Sequence, residues 1–383
     1  MGDTNDTAGR RPRLRSARDR GLQTMGRRRF VETLAAAGLG GMATLLSADD
    51  VLAAGSDQVP VVYGFAGGDG GTDGLRPLKT DVPADWFADF RAALDAHRSK
   101  RFAERDGVVA SSVVPGEFGG RNAAVEVEAT GAADVPERVG EVPVEVSRVD
   151  SAWSPPGSVD ATGSDPGTPV PGGVACGTRE TSATLAPAMY DGRRPFFTTA
   201  NHVYGGDGTD HRGRPFRLVG AADSPVIGTV ERGHALDDFV RVAPTNGFRP
   251  ASVIRGATPN EVVGQFSRSG LATLKARGEP LEKVGITTGH TTGGIHAVAG
   301  MTCAYGQVCK RGQVKWGSEG AFDDGDSGSV NYHPDPERPG EGVLVGGFNN
   351  ARTWWPGENY VWGTAAHRIT ERHGFTFAPS AGP

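Results

Sequence analysis

Asp324-Gly325-Asp326-Ser327-Gly328 is the stretch on which the reading of this chain turns. A serine hydroxyl is a weak nucleophile until a base takes its proton, and its attack on a carbonyl creates an oxyanion that needs donors. The flanking glycines permit a tight turn that residues with a Cβ reach only under strain. Such a turn can aim the backbone N–H groups of Gly325 and Ser327 at one point, as an oxyanion hole.

Two further stretches supply the partners that this serine needs. In Phe196-Phe-Thr-Thr-Ala-Asn-His202-Val an apolar run ends in small residues and then a histidine. That places the imidazole of His202 at a strand end, where it can act as general base. In Leu236-Asp237-Asp238-Phe239-Val240 an acid stands just before an apolar strand, suited to orient a base and stabilise its imidazolium. Adjacent strand residues point to opposite faces, so Asp237 and Asp238 cannot both face His202. Asp238, which abuts Phe239, is the choice. The other histidines after residue 200 lack a comparable context, and neither H-E-x-x-H nor C-x-x-C occurs, so the sequence indicates no metal ligands.

The order His202…Asp238…Ser327 differs from the Ser…Asp…His of α/β-hydrolases and the Asp…His…Ser of subtilisins. Together the residues resemble the chymotrypsin-like (trypsin-like) serine peptidases, in particular their bacterial secreted, streptogrisin-like branch. Thr199-Ala200-Asn201-His202-Val203 is similar to that branch's Thr-Ala-x-His motif, and Asp238-Phe239-Val240 to its Asp-aromatic-Ala motif. Gly325-Asp326-Ser327-Gly328 is similar to its serine motif, and Gly285-Ile-Thr-Thr-Gly-His-Thr291 to a Gly-x-Thr-Thr-Gly-x-Thr strand. The resemblance covers residues 174–374. It implies two antiparallel six-stranded β-barrels with the triad between them, and peptide-bond hydrolysis through an acyl-enzyme without cofactor or metal. By position, Ser327 attacks, His202 carries the proton, Asp238 fixes the tautomer, and the Gly325 and Ser327 amides bind the oxyanion. Ser329, Val240 and Asn201 depart from the family pattern without removing a catalytic group. Ala321, six residues before Ser327, suggests no buried acid for a Lys or Arg side chain of a substrate. Two other readings use the same residues: a catalytically silent barrel that binds or scaffolds, and an esterase on the same triad.

Upstream the chain divides by composition. Residues 1–55 read as an export address. Arg27-Arg28-Arg29-Phe30 precedes a short Gly/Ala-rich run, and Ala53-Ala54-Gly55 suits a signal-peptidase cut; the pattern resembles a twin-arginine signal. The start is either Met1 or Met25. The run is too short for a permanent span, which needs about 20 apolar residues, so the expected product is a secreted protein without a stable membrane span. Residues 56–150 read as a small α+β module. Trp86, Phe87, Phe90, Leu94 and His97 recur at helical spacing within 83–102. Strand-like alternation over 123–129 and 142–149 flanks a short helical stretch at 133–139. The module is either a propeptide or a permanent accessory domain. Residues 151–173 are a Pro/Gly/Ser-rich linker.

Residues 174–383 form the peptidase-like domain, with short β-prone runs at 196–199, 226–230, 239–242, 285–288, 295–299, 314–316, 343–348 and 360–362. One helix is expected there, at 364–373. With 58 Gly and 26 Pro in 383 residues, many short strands joined by turns are expected, and hence a mainly β fold. The net charge is −5, but residues 1–29 carry nine Arg against three Asp, which leaves an acidic body unsuited to nucleic acid. The expected partner is a protein or peptide substrate. Cys303 and Cys309 can close a small loop, with five residues between them, as a disulfide if the chain is exported, leaving Cys176 as a buried thiol. Lysine is scarce: Lys79, Lys100, Lys275, Lys283, Lys310 and Lys315.

Overall fold

Short β-prone runs broken by Gly, Pro, Asn and Asp fill much of the chain after residue 57, and the protein answers with short strands. The computed structural model describes residues 57–67, 74–131, 133–149, 168–205, 210–220, 223–303, 309–318, 320–355 and 358–380. The expected export address and most of the linker lie outside these residues. The described part is mainly β.

A five-stranded sheet flanks the histidine and the aspartate: Asp238 precedes its strand Phe239–Pro244, which Phe197 and Ala200 bridge on the way to His202. Its order is Phe239–Pro244, Val226–His234, Pro215–Leu218, Ala175–Gly177 and Ser182–Thr184. A sheet of 14 strands carries the serine. From one edge its main path runs Gly289–Gly293, Leu281–Gly285, Val330–Pro334, Val343–Trp355, Glu358–Ala365, Lys310–Trp316 and Ile295–Thr302. It then continues without a break into Val108–Val114, Ala124–Ala129, Val142–Arg148 and Arg138–Val139. The upstream α+β segment is therefore woven into the same sheet as the serine. Val298 pairs with Val113 and Thr302 with Ala110, and a second seam pairs Gly64 with Phe266.

The seam at Gly64 and Phe266 needs close backbone approach. A Cβ at Gly264 would stand 1.9 Å from the Phe65 carbonyl oxygen, and one at Gly270 would stand 1.8 Å from that of Tyr63. One continuous core joins the two sheets. Phe196, Phe197, Phe216, Phe239, Phe348 and Phe375 are buried in it, each contributing roughly 1.5–3 kcal/mol.

Three expectations change. No helix forms over 133–139; Arg138–Val139 is a short strand against Val142–Arg148. Pro136 supplies no N–H to an intrahelical ladder, and Gly131 and Gly140 sit at positive φ on either side. The strand expected at 285–288 instead ends at Gly285, and residues 286–288 turn the chain into Gly289–Gly293. The helix expected at 364–373 is not alone: Arg268–Arg277 is helical too. The Ser267 side chain accepts from the Gly270 N–H and so caps its first turn, worth about 1 kcal/mol, and Gly278 at φ 73 ends it. The C-terminal helix begins at Ala366, because Thr364 and Ala365 still pair as strand. The upstream helix spans Ala84–Ser99 and buries Trp86, Phe90 and Leu94. The described residues include no helix long and apolar enough to cross a membrane.

Candidate active site

Phe197 bridges Val242, Ala200 bridges Phe239, and both are fully buried. This anchored stretch breaks into one 3-10 turn, Asn201–Tyr204, closed by Gly205 in the left-handed region. The turn lifts His202 out of the core to a half-buried position. Asp238 sits at φ 55, a conformation that bends the chain just before its strand. Its backbone oxygen accepts from the Asn201 N–H at 3.1 Å. Its carboxylate accepts the His202 backbone N–H on Oδ1 at 3.0 Å and the ring Nδ1–H on Oδ2 at 2.8 Å. An ionised carboxylate only accepts, so Nδ1 carries the proton and Nε2 is left as the basic nitrogen.

Asp237, one residue away, faces elsewhere. Arg372 and His373 donate to its Oδ2, each at 2.8 Å, which ties it to the C-terminal helix. A third donor reaches Asp238, and sequence reasoning did not find it. Lys310 Nζ donates to Oδ2 at 2.5 Å. Burial alone would raise the Asp238 carboxyl, but His202 and Lys310 outweigh it and hold the group well below the usual carboxylate range.

The serine turn is held from four sides. Gly325 and Gly328 lie at φ 93 and 91, which L-residues rarely adopt. A Cβ at Gly328 would stand 2.3 Å from both the Thr184 oxygen and Thr199 Oγ1, and 3.0 Å from the Ala200 nitrogen. The turn therefore seats directly against the run that leads into His202. Thr184 N–H donates to the Ser327 oxygen, and Thr184 Oγ1 donates to the Gly325 oxygen, each at 2.9 Å. Beneath the turn, Asp326 is fully buried. Its carboxylate accepts Lys283 Nζ at 2.9 Å, Thr287 N–H at 2.9 Å, Asp323 N–H at 3.0 Å and the Thr288 hydroxyl at 2.6 Å. Burial pulls Lys283 below its ordinary value despite Asp326. On the remaining side Gly328 N–H donates to the Asn349 oxygen at 2.9 Å, and Asn349 Nδ2 donates to Ser329 Oγ at 3.1 Å. Ser329, a departure from the family pattern, thus has a hydrogen-bonding role.

The turn's amides alternate. Asp326 N–H donates to the Asp323 oxygen and Gly328 N–H to the Asn349 oxygen. Among the described residues, neither the Gly325 nor the Ser327 N–H has a protein acceptor. His202 and Asp238 touch directly, and the Ser327 turn packs on the segment preceding His202. A direct bond between Ser327 Oγ and His202 is not among the described contacts.

The remaining expectations fall out as follows. Cys303 and Cys309 form a disulfide, and Cys176 is a buried free thiol. Ala321 is buried, and its oxygen accepts from Thr291 Oγ1. Val240 is core, and Asn201 is buried with its Oδ1 close against Gly233. Lysine scarcity is the one signal in the sequence that bears on these contacts: of six lysines, Lys283, Lys310 and Lys315 are buried beside carboxylates. Among the described residues no cluster of His, Cys, Asp or Glu is arranged to hold a metal ion.

No protein-family model and no curated protein matches the chain. Solved structures that match include a glutamic-acid-specific serine protease described as using a histidine triad in substrate binding. It is 18% identical at TM-score 0.39, covering 54% of this chain and 99% of that one. Protease A of Thermobifida fusca matches at 16% identity and TM-score 0.39, covering 55% of this chain and 98% of that one. A chymotrypsin of Cellulomonas bogoriensis matches at 18% identity and TM-score 0.38, with coverage of 55% and 98%.

Proposed function

We propose that the chain is an exported serine endopeptidase that cleaves peptide bonds through an acyl-enzyme, with His202, Asp238 and Ser327 as its triad. The observation that carries this is the His202–Asp238 pair, packed beside a Gly-Asp-Ser-Gly turn whose Gly325 and Ser327 amides meet no acceptor among the described residues. His202 Nε2 takes the Ser327 proton as Oγ attacks the carbonyl carbon. The Gly325 and Ser327 N–H groups hold the oxyanion. His202 returns the proton to the leaving amine, and water, deprotonated by His202, then hydrolyses the ester. Asp238 keeps the ring in the productive tautomer throughout. The two sheets correspond in this reading to the two lobes of a chymotrypsin-like peptidase.

Residues 57–149 stay with the peptidase half after export. Two strand seams and a buried Lys315 held by Glu126 and Glu128 support this. Incubation with a peptide library tests the activity: defined cleavage that vanishes in Ser327→Ala is expected, and folded protein that cleaves nothing overturns it. Turnover of esters alone would select the esterase reading. N-terminal sequencing of the secreted form tests retention, with a start before residue 58 expected and a start after residue 149 contrary.

A further inference from the structure

We propose that Lys310 is a positioning residue of the catalytic machinery, whose ammonium shares the carboxylate oxygen that receives the His202 ring and thereby weakens that ring as a base. The inference rests on the peptidase reading of His202, Asp238 and Ser327.

Asp238 Oδ2 receives two donors, the His202 ring at 2.8 Å and Lys310 Nζ at 2.5 Å. Both charged side chains are nearly sequestered: the Lys310 side chain is 11% exposed and that of Asp238 is 3% exposed. At such burial a charge acts strongly on its neighbours. The ammonium is also held in place. Lys310 opens the strand Lys310–Trp316, pairs with Thr302 across the ladder, and directly follows the disulfide between Cys303 and Cys309.

A lone carboxylate lends its full negative charge to an imidazolium and so favours protonation of the ring. A carboxylate already neutralised in part by a cation lends less. A ring paired with such a carboxylate gains less from taking a second proton. The cost is weaker stabilisation of the imidazolium formed in the transition state.

Other ionisable groups on the packed elements are engaged elsewhere. Asp237 holds Arg372 and His373, with Arg368 3.9 Å away. His234 stacks on Phe239, and His211 and Arg214 lie against Tyr204. Lys310 is the cation that meets the Asp238 carboxylate itself.

The test follows the 15N signals of the His202 ring through a pH titration in the Ser327→Ala protein. This reading needs no turnover, so its failure is separable from failure of the peptidase assignment, which peptide cleavage by the unmodified chain reports. In Lys310→Met and Lys310→Gln the titration midpoint should rise by about one pH unit. In Lys310→Arg, which keeps the cation, it should stay in place. In active protein the acid limb of kcat/KM should move upward in the two neutral variants by the same amount. An unmoved midpoint in both neutral variants, or an equal rise in Lys310→Arg, overturns the proposal. Should the neutral variants not fold, the unmodified protein decides. Its Lys310 Nζ signal should titrate with the His202 midpoint, and an Nζ signal indifferent to that titration is contrary.

Discussion

Lys283 and Lys315 both have fully buried side chains, yet the carboxylates that hold them come from different parts of the chain. Lys283 is held by Asp326, the residue just before the candidate nucleophile, so this pair fixes the shape of the serine turn. Lys315 is held by Glu126 and Glu128, from a strand of the upstream segment, and its ammonium lies 4.0 Å from the Tyr360 ring centroid. Burial lowers Lys315, but the two glutamates outweigh burial and raise it. The same chemistry thus does two jobs. One pair shapes the turn that carries Ser327, and the other secures the segment that completes the sheet. Removing one partner of either leaves a buried charge uncompensated, at a cost of about 3–5 kcal/mol.

The contrast breaks most readily at the catalytic end. Ser327→Ala and His202→Ala should each lower kcat/KM by more than about a thousandfold. Thermal denaturation should show both variants folded; a mild loss of turnover in either would remove the chemistry from this site. Asp238→Asn should cost on the order of a thousandfold, through loss of the correct tautomer, as read by steady-state kinetics.

Lys283→Met and Lys315→Met sharpen the comparison. Each should lose about 3–5 kcal/mol in denaturant unfolding. Only Lys283→Met should also depress kcat of the protein that remains folded. Equal loss of kcat in the two would mean that the seam and the turn are not separate.

A pH effect on stability distinguishes the regions less sharply, because each carries a histidine shielded from solvent, His97 half-buried and His234 buried. Burial first, then Arg311, lowers His97 in the upstream segment to about 4. Burial first, then His373, lowers His234 in the five-stranded sheet to about 3. Both remain neutral in the fold while the unfolded chain binds protons below about pH 6.5. Their contribution to stability is therefore complete above that pH and declines as pH falls toward those folded values. Tm should fall from pH 7 to pH 5, and His97→Gln should flatten that fall. The smallest effect belongs to Asp237→Asn. It should change kcat/KM by less than about fivefold, since its carboxylate faces the C-terminal helix.

The sequence displayed the local chemistry and concealed the distant contacts. The serine turn, the histidine at a strand end, the aspartate before Phe239 and the short cysteine loop all announce themselves within a few residues. The helix Arg268–Arg277 did not, because Gly270 to Leu274 are buried on all sides and leave no amphipathic stripe. Its Ser267 cap and terminal Gly278 were the readable signs. Lys310 lies 72 residues from Asp238, and the pairing of Val113 with Val298 spans a still longer stretch of chain. Neither leaves a periodicity to read. Residues 56–150 read as a small α+β module, and the strand pairing that joins its Val108–Val114 to Ile295–Thr302 is one of the contacts the sequence does not display.

The central claim is that the hydroxyl of residue 327 is an activated nucleophile. Mass spectrometry of the folded protein after exposure to a fluorophosphonate reads this directly. A single phosphonyl adduct on Ser327, absent from His202→Ala, is the result expected. Folded protein that stays unlabelled, or that carries the adduct on another residue, contradicts the account.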